Sequence, residues 1–321
     1  MRIGVDARKI ADYGIGTYTR GLLGALVATG DDDIVAFAPT GTPLPDGVSH
    51  IHVDAPHYSL RELVAVGRAA DRAHLDLFHA PHYVVPFTRV PVVVTIHDLI
   101  HLTQPAMNPL ASFYARAMLG RAVRQARRVL TVSEASKRAI VERLLVAPEN
   151  VVVTPNGIDQ RFFESGGMAA ALHDYFLFVG NDKPHKNLGV AREAAERAGV
   201  RLVVAGAENF VSDAELVALY RDATALVMPS AEEGFGLPAA EAMACGTPVI
   251  TSRAPALVEI TGDAALHVDV DARSLAQAME RLRDDEELRR AMSLRGRERA
   301  KSFTWTRCAE LTRAAYRAAI A

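Results

Sequence analysis

The chain has 321 residues, half of them hydrophobic, with 36 Lys and Arg against 38 Asp and Glu and a formal net charge of −2 at pH 7. That length suits two domains with a core each, and the charge balance argues against a nucleic-acid binder. The two cysteines form neither a disulfide framework nor a metal quartet; no apolar run is long enough to span a bilayer, and Met1-Arg2-Ile3-Gly4-Val5-Asp6 reads as a strand and not a secretion signal, so a cytoplasmic location is expected.

Short, nearly continuous apolar runs alternate with amphipathic stretches along the whole chain, the pattern of parallel sheets covered on both faces. Strands are predicted at Arg2–Asp6, Ile34–Ala38, His50–Val53, Leu77–His79, Val92–Ile96, Val129–Val132 and Val151–Thr154, with helices after Gly16, around Leu60–Arg72, from Pro109 to Ala126 and from Glu134 to Leu144. Turn signals at Pro155-Asn156-Gly157 and Ser165-Gly166-Gly167 predict a boundary, dividing residues 1–160 from 161–304. The second half repeats the scheme: strands at Tyr175–Val179, Leu202–Ala205, Ala225–Met228, Val249–Ser252 and Ala265–Val268, with helices from Asn187, over Asp213–Arg221 and after Gly236, then a charged helical tail. The expected fold class is α/β, two Rossmann-like doubly wound domains facing across a cleft.

Three strand-to-helix turns carry candidate chemistry. Tyr13-Gly14-Ile15-Gly16 is a glycine-rich turn at a helix N-terminus, suited to a phosphate. It is not the dinucleotide fingerprint, because position 19 is Thr and no acid closes the second strand, which disfavours a nicotinamide oxidoreductase. Gly180-Asn181-Asp182-Lys183-Pro184-His185-Lys186 places a glycine and a cationic loop before a helix, where dipole and ammonium together favour a diphosphate. Glu233-Gly234-Phe235-Gly236-Leu237-Pro238-Ala239-Ala240-Glu241 sets two carboxylates around a glycine-rich turn that opens a helix. The N–H groups there favour a phosphate, and the carboxylates can accept from sugar hydroxyls. The combination reads as a nucleotide-sugar site.

The run from Glu233 to Ile250 resembles the signature of glycosyltransferase family 4, the retaining enzymes of GT-B fold, in which seven residues separate two Glu. The resemblance implies that Glu233 holds the donor sugar, that Glu241 accepts from the ribose, and that Gly234, Phe235, Gly236 and Leu237 line the donor site. Lys186 matches the family's phosphate-binding Lys, Asn181 stands where many members have Arg, and Gly14 and Gly16 match the loop that approaches the diphosphate. His97, in Thr95-Ile96-His97-Asp98, matches the residue that touches the donor sugar, whereas His79 and His82 are weaker candidates read first as structural. The segments around His79–Tyr83 and Gly180–Asn187 look most like the mannosyltransferase branch, with GDP-mannose as donor and a glycan or lipid-linked acceptor. What is implied is front-face attack giving an α-glycoside, with no cofactor, no metal ion and no protein nucleophile. Eight Lys or Arg between residues 112 and 143, against Glu134 and Glu142, suggest either a solvated face or a surface for an anionic membrane. By resemblance the last helix, 305–321, packs back on the first domain. After Gly206 the chain is shorter than the family by one βα unit. That departure and Asn181 keep open a non-catalytic partner protein; an epimerase or phosphorylase of the same fold is a further alternative.

Overall fold

The computed structural model describes residues 1–57, 59–103, 109–164, 175–207 and 211–321, without the side chains of 109–112. Contacts divide them into two compact units, Met1–Gly157 with Trp305–Ala321, and Ile158–Thr304. The division falls at Gly157, against the 160/161 boundary expected; Ser165-Gly166-Gly167 lies outside the described residues.

The first unit holds strands β1 (Arg2–Asp6), β2 (Asp33–Ala38), β3 (Ser49–His52), β4 (Leu77–Ala80), β5 (Val92–Thr95), β6 (Arg128–Thr131) and β7 (Val151–Val153). They form one parallel sheet in the order β3-β2-β1-β4-β5-β6-β7. Its helices are α1 (Tyr13–Ala28), α2 (Leu60–Arg72), the short α3 (Ile100–Thr103), α4 (Pro109–Gln125) and α5 (Glu134–Leu144). Two apolar clusters cover the two faces. One joins Ile3, Val5 and Leu77 to Leu22, Leu26 and the C-terminal Tyr316. The other joins Phe37, Phe78 and Val94 to Val66, Leu119 and Ile140. Ser59 caps α2 and Ser133 caps α5, each accepting an orphan backbone N–H of the first turn.

The second unit holds α6 (Gln160–Glu164), β8 (Tyr175–Val179), α7 (Leu188–Ala198), β9 (Arg201–Ala205), α8 (Asp213–Asp222), β10 (Ala225–Met228), α9 (Leu237–Cys245), β11 (Val249–Ser252), α10 (Pro255–Thr261), β12 (Ala265–Val268), α11 (Ala272–Asp284) and α12 (Glu286–Ala300). Its described sheet is parallel, in the order β12-β11-β10-β8-β9. Ser212 and Glu215 form a reciprocal capping box at α8. The expected shortening falls on the segment after Gly206, of which residues 208–210 lie outside the described residues.

The last helix, α13 (Trp305–Ile320), belongs to the first unit. It buries Cys308, Ala309, Thr312, Ala315 and Tyr316, spaced to share one helical face. Arg313 donates from Nε to Asp32 Oδ2 at 2.7 Å, and its Nη2 donates to the Leu26 carbonyl. Gly21 and Gly157 are glycines because Trp305 lies where a methyl on either would stand.

Candidate functional site

Open parallel sheets bind ligands at the carboxyl ends of the strands, where the strand order reverses. In the second unit that point lies between β8 and β10, since the chain runs outward from β8 to β9 and then returns to β10. The loops after these two strands carry Lys186 and Glu233. The loop after β8 tightens into a short 3-10 turn over Pro184–Lys186, and Asn187, in the left-handed region, starts α7. The two loops are stitched together: Ala231 N–H donates to the His185 carbonyl at 2.8 Å, and Asn187 Nδ2 donates to the Pro229 carbonyl at 2.9 Å. Lys186 Nζ consequently donates to Glu233 Oε1 at 2.6 Å, with side chains only 16% and 11% exposed. Glu233 is therefore not the exposed loop acid that its turn-rich sequence implies.

Gly234, Phe235 and Gly236 are buried, and Leu237 begins α9 with Pro238 in its first turn. Gly236 has φ of 96°, a conformation open to glycine, and a methyl there would overlap Leu257. The Phe235 ring meets Phe303 edge-on, with centroids 5.4 Å apart. Glu241 is buried in α9, and Tyr220 donates to its Oε2 at 2.9 Å. Burial pushes this carboxyl up to about 7, against the lowering by the Tyr220 hydroxyl, with Asp213 and Asp159 pushing the same way as burial. One carboxylate oxygen is thus already committed within the protein. Asn181 follows Gly180 beyond β8, and its buried Oδ1 has no hydrogen-bond partner.

In the first unit the reversal lies between β1 and β4. Gly14 and Gly16 are not in a turn ahead of the helix, as expected; α1 starts at Tyr13, so both sit in its first turn. The true turn is Ala7–Asp12, held by Ile10 N–H to Ala7 carbonyl and Asp12 N–H to Lys9 carbonyl. Gly14 is exposed, whereas Gly16 lies against the Ile10 carbonyl, which leaves no room for a methyl. Gly16 is therefore a packing glycine, and the amides at the helix start stay available to an anion.

His97 follows β5. Its Nε2 donates to the Pro81 carbonyl at 3.0 Å, and the Tyr18 ring packs on it edge-on at 4.7 Å. A carbonyl only accepts, so Nε2 carries the proton and Nδ1 keeps a lone pair. Burial lowers the His97 pKa, against the raising effect of Asp98, and the ring is neutral at pH 7. His79 is fully buried, with Nδ1 on the Tyr316 hydroxyl at 2.6 Å and Nε2 on Thr95 Oγ1 at 2.8 Å. Burial lowers its pKa to about 3. Both nitrogens are used inside the core, so His79 is structural. Asn156 is buried with its Oδ1 unpartnered, and Gly157 packs on Trp305.

One constellation at this point has no counterpart in the sequence motifs. Asp6, at the end of β1, takes two bonds from the Arg8 guanidinium, at 2.9 and 2.6 Å, and one from its backbone N–H at 3.2 Å, and Arg8 Nη2 also reaches Glu62 Oε1 at 2.7 Å. His82 Nδ1 accepts from the Val84 N–H, which leaves the proton on Nε2, 3.6 Å from Asp6 Oδ2. Burial would raise the Asp6 pKa, but the Arg8 charge beside it holds the carboxyl well below the usual range. Asp6, Glu62 and His82 approach closely enough to ligate a cation, yet the guanidinium already bridges both carboxylates. A metal would have to displace it, so these residues read as a charge-compensated clamp between β1 and α2. Residues at positions 6, 8, 62 and 82 share no sequence pattern, and only the topology joins them.

Two parallel-sheet units, each with polar side chains at its strand-order reversal, define the chain as an α/β protein of the GT-B glycosyltransferase fold. The model of the family described as Glycosyltransferase Family 4 matches residues 13–162, and that described as Glycosyl transferases group 1 matches residues 207–299. Together they cover well over half of the sequence, and the chain belongs to the family 4, group 1 glycosyltransferases. It is 29% identical over 283 residues to the O-antigen chain mannosyltransferase B of Escherichia coli, covering 75% of this chain and 74% of that protein. It is 31% identical over 273 residues to the MMP alpha-(1->4)-mannosyltransferase of Mycolicibacterium hassiacum, covering 72% of this chain and 66% of that one. Among solved structures, sucrose-phosphate synthase from Thermosynechococcus elongatus matches with a TM-score of 0.80 at 22% identity, over 99% of this chain and 98% of that one. Anabaena HepE in complex with UDP-glucose matches with a TM-score of 0.76 at 16% identity, over 98% and 99%. The expected family and the expected α/β class, two parallel-sheet domains of GT-B type, are thereby established.

Proposed function

We propose that this protein is a retaining, metal-independent glycosyltransferase that moves a sugar, with GDP-mannose the favoured donor, onto a glycan or lipid-linked acceptor as an α-glycoside. The observation that carries the reading is the Lys186–Glu233 pair at the strand-order reversal of the second unit, beside the N-terminus of α9. A diphosphate leaving group gathers negative charge as the glycosidic bond breaks. The Lys186 ammonium and the positive end of the α9 dipole stabilise that charge. Glu233 accepts from the sugar hydroxyls, Glu241 from the ribose, and His97 Nδ1 can accept a further hydroxyl. Attack from the same face, with the departing phosphate taking the acceptor proton, needs no protein nucleophile. Mannosyltransferase relatives favour mannose, while the fold neighbour solved with UDP-glucose makes uridine the competing base.

Calorimetry with GDP, UDP, ADP and dTDP and their common sugars, in the presence of a chelator, tests the reading. One base bound clearly and metal-independently supports it; no binding by any of them sinks it. Lys186→Ala should weaken donor binding by about 1.5–3 kcal/mol, the worth of a charge-assisted contact.

An anionic lipid surface is the second part of the proposal. No helix among the described residues is long and apolar enough to cross a membrane. On α4, Phe113 is 73% exposed, Arg116 and Arg124 are exposed, and Arg121 stacks 4.2 Å over the exposed Phe87 ring. Exposed rings among arginines suit an anionic interface. Vesicles containing phosphatidylglycerol should co-sediment the protein and neutral vesicles should not. Phe113→Asp together with Arg116→Glu should abolish the difference; retained binding would remove this surface from the proposal.

A further inference from the structure

We infer that Glu233 discriminates between the sugar-linked donor and the spent nucleoside diphosphate, acting through its ion pair with Lys186. The inference rests on the donor-site reading above and adds a specificity role to that site. Lys186 Nζ lies 2.6 Å from Glu233 Oε1 in a pair that is nearly withdrawn from water. The two loops are tied to each other: the His185 carbonyl accepts from the Ala231 N–H and the Pro229 carbonyl accepts from Asn187 Nδ2, so neither loop can carry its charged residue away alone. A diphosphate that recruits the Lys186 ammonium therefore binds with the Glu233 carboxylate beside it.

The two nucleotide species meet that carboxylate differently. A nucleotide-sugar brings hydroxyl donors that satisfy Glu233 as Lys186 turns to the phosphate. A bare nucleoside diphosphate carries one more negative charge and no hydroxyls at that position. It leaves Glu233 with a shared ammonium and a facing anion, and in a site of low water content like charges repel strongly. The carboxylate thus rewards the donor and penalises the product, which favours product release after transfer.

The test is calorimetry of GDP, UDP, GDP-mannose and UDP-glucose with wild type, Glu233→Gln and Glu233→Asp, with a thermal melt for each variant. Glu233→Gln removes the charge at constant shape. It should bind the cognate nucleoside diphosphate about tenfold more tightly than wild type, with a smaller change for the sugar-linked form. The affinity ratio of donor to product should shrink accordingly. Glu233→Asp keeps the charge and should retain weak binding of the product, which guards against a general effect of substitution. Nucleoside diphosphate affinity that is unchanged or weaker in a folded Glu233→Gln protein overturns the discriminator. If wild type binds none of the four probes, the donor-site reading itself falls, and the discriminator with it.

Discussion

Glu241 and His79 are buried titratable groups whose environments act in opposite directions on the pH dependence of stability. The Glu241 carboxyl, raised by burial to about 7 from an unfolded value of 4.5, favours the protonated folded state. Its stabilising contribution is complete below the unfolded value and is lost as pH rises through about 7. His79, lowered by burial to about 3 from 6.5, favours the neutral folded state, so its contribution is lost as pH falls below 6.5. The whole-protein profile sums these with the other shifted groups, Asp6 and His97 among them, and a variant is needed to separate them. Glu241→Gln should keep the hydrogen bond from Tyr220 on its carbonyl oxygen and flatten the loss of stability between pH 5 and 8, by at most about 3 kcal/mol. Denaturant melts of both proteins at those two pH values check it; parallel profiles would mean that Glu241 ionises freely. A committed Oε2 also means that a ribose bound here would use the other carboxylate oxygen or take over from Tyr220.

At the scale of elements, α1 shows how a motif can be placed correctly and its geometry misread. The Gly14–Gly16 pair was expected to form a glycine-rich turn at the helix N-terminus, suited to a phosphate, but neither glycine needs a left-handed conformation, and both are helical. Their roles separate on substitution. Gly16→Ala drives a methyl into the Ile10 carbonyl and should destabilise the protein by about 1–3 kcal/mol. Gly14→Ala meets nothing within contact distance and should leave stability within about 0.5 kcal/mol of wild type. Thermal melts distinguish the two, and equal effects would contradict the packing role of Gly16. In the second unit, by contrast, the glycine signal at Gly236 is conformational, and the helix that it opens begins where the sequence placed it.

For the whole molecule, the first unit is closed by a segment from the far end of the chain. The α13 helix supplies Tyr316 to His79, Trp305 to Gly21 and Gly157, and Arg313 to Asp32. A chain ending at Thr304 would expose the apolar face of α1 and leave Asp32 with only the N-terminal amine as an ion-pair partner among the contacts described. It should lose cooperative unfolding of the first unit, and Arg313→Ala alone should cost about 3 kcal/mol, because it leaves a nearly buried carboxylate partly uncompensated. Circular dichroism melts check both; a truncated chain that melts as wild type would mean that α13 is dispensable.

The strand positions, the parallel arrangement and the Glu233–Glu241 signature are legible in the sequence because each is local. Apolar run length reports a buried strand, and turn residues report their own backbone. Glycosyltransferase membership is readable for the same reason, since the signature is one unbroken stretch from Glu233 to Ile250. What tertiary structure alone decided is which side chains meet. The Lys186–Glu233 pair joins residues 47 apart, burial within the second unit raises the Glu241 carboxyl while Tyr220 donates to it, and the Asp6–Arg8–Glu62–His82 clamp draws on β1, α2 and the segments that follow β1 and β4. Sheet order brings these together, and sheet order is set by packing over the whole unit, which leaves no trace in any one segment of sequence.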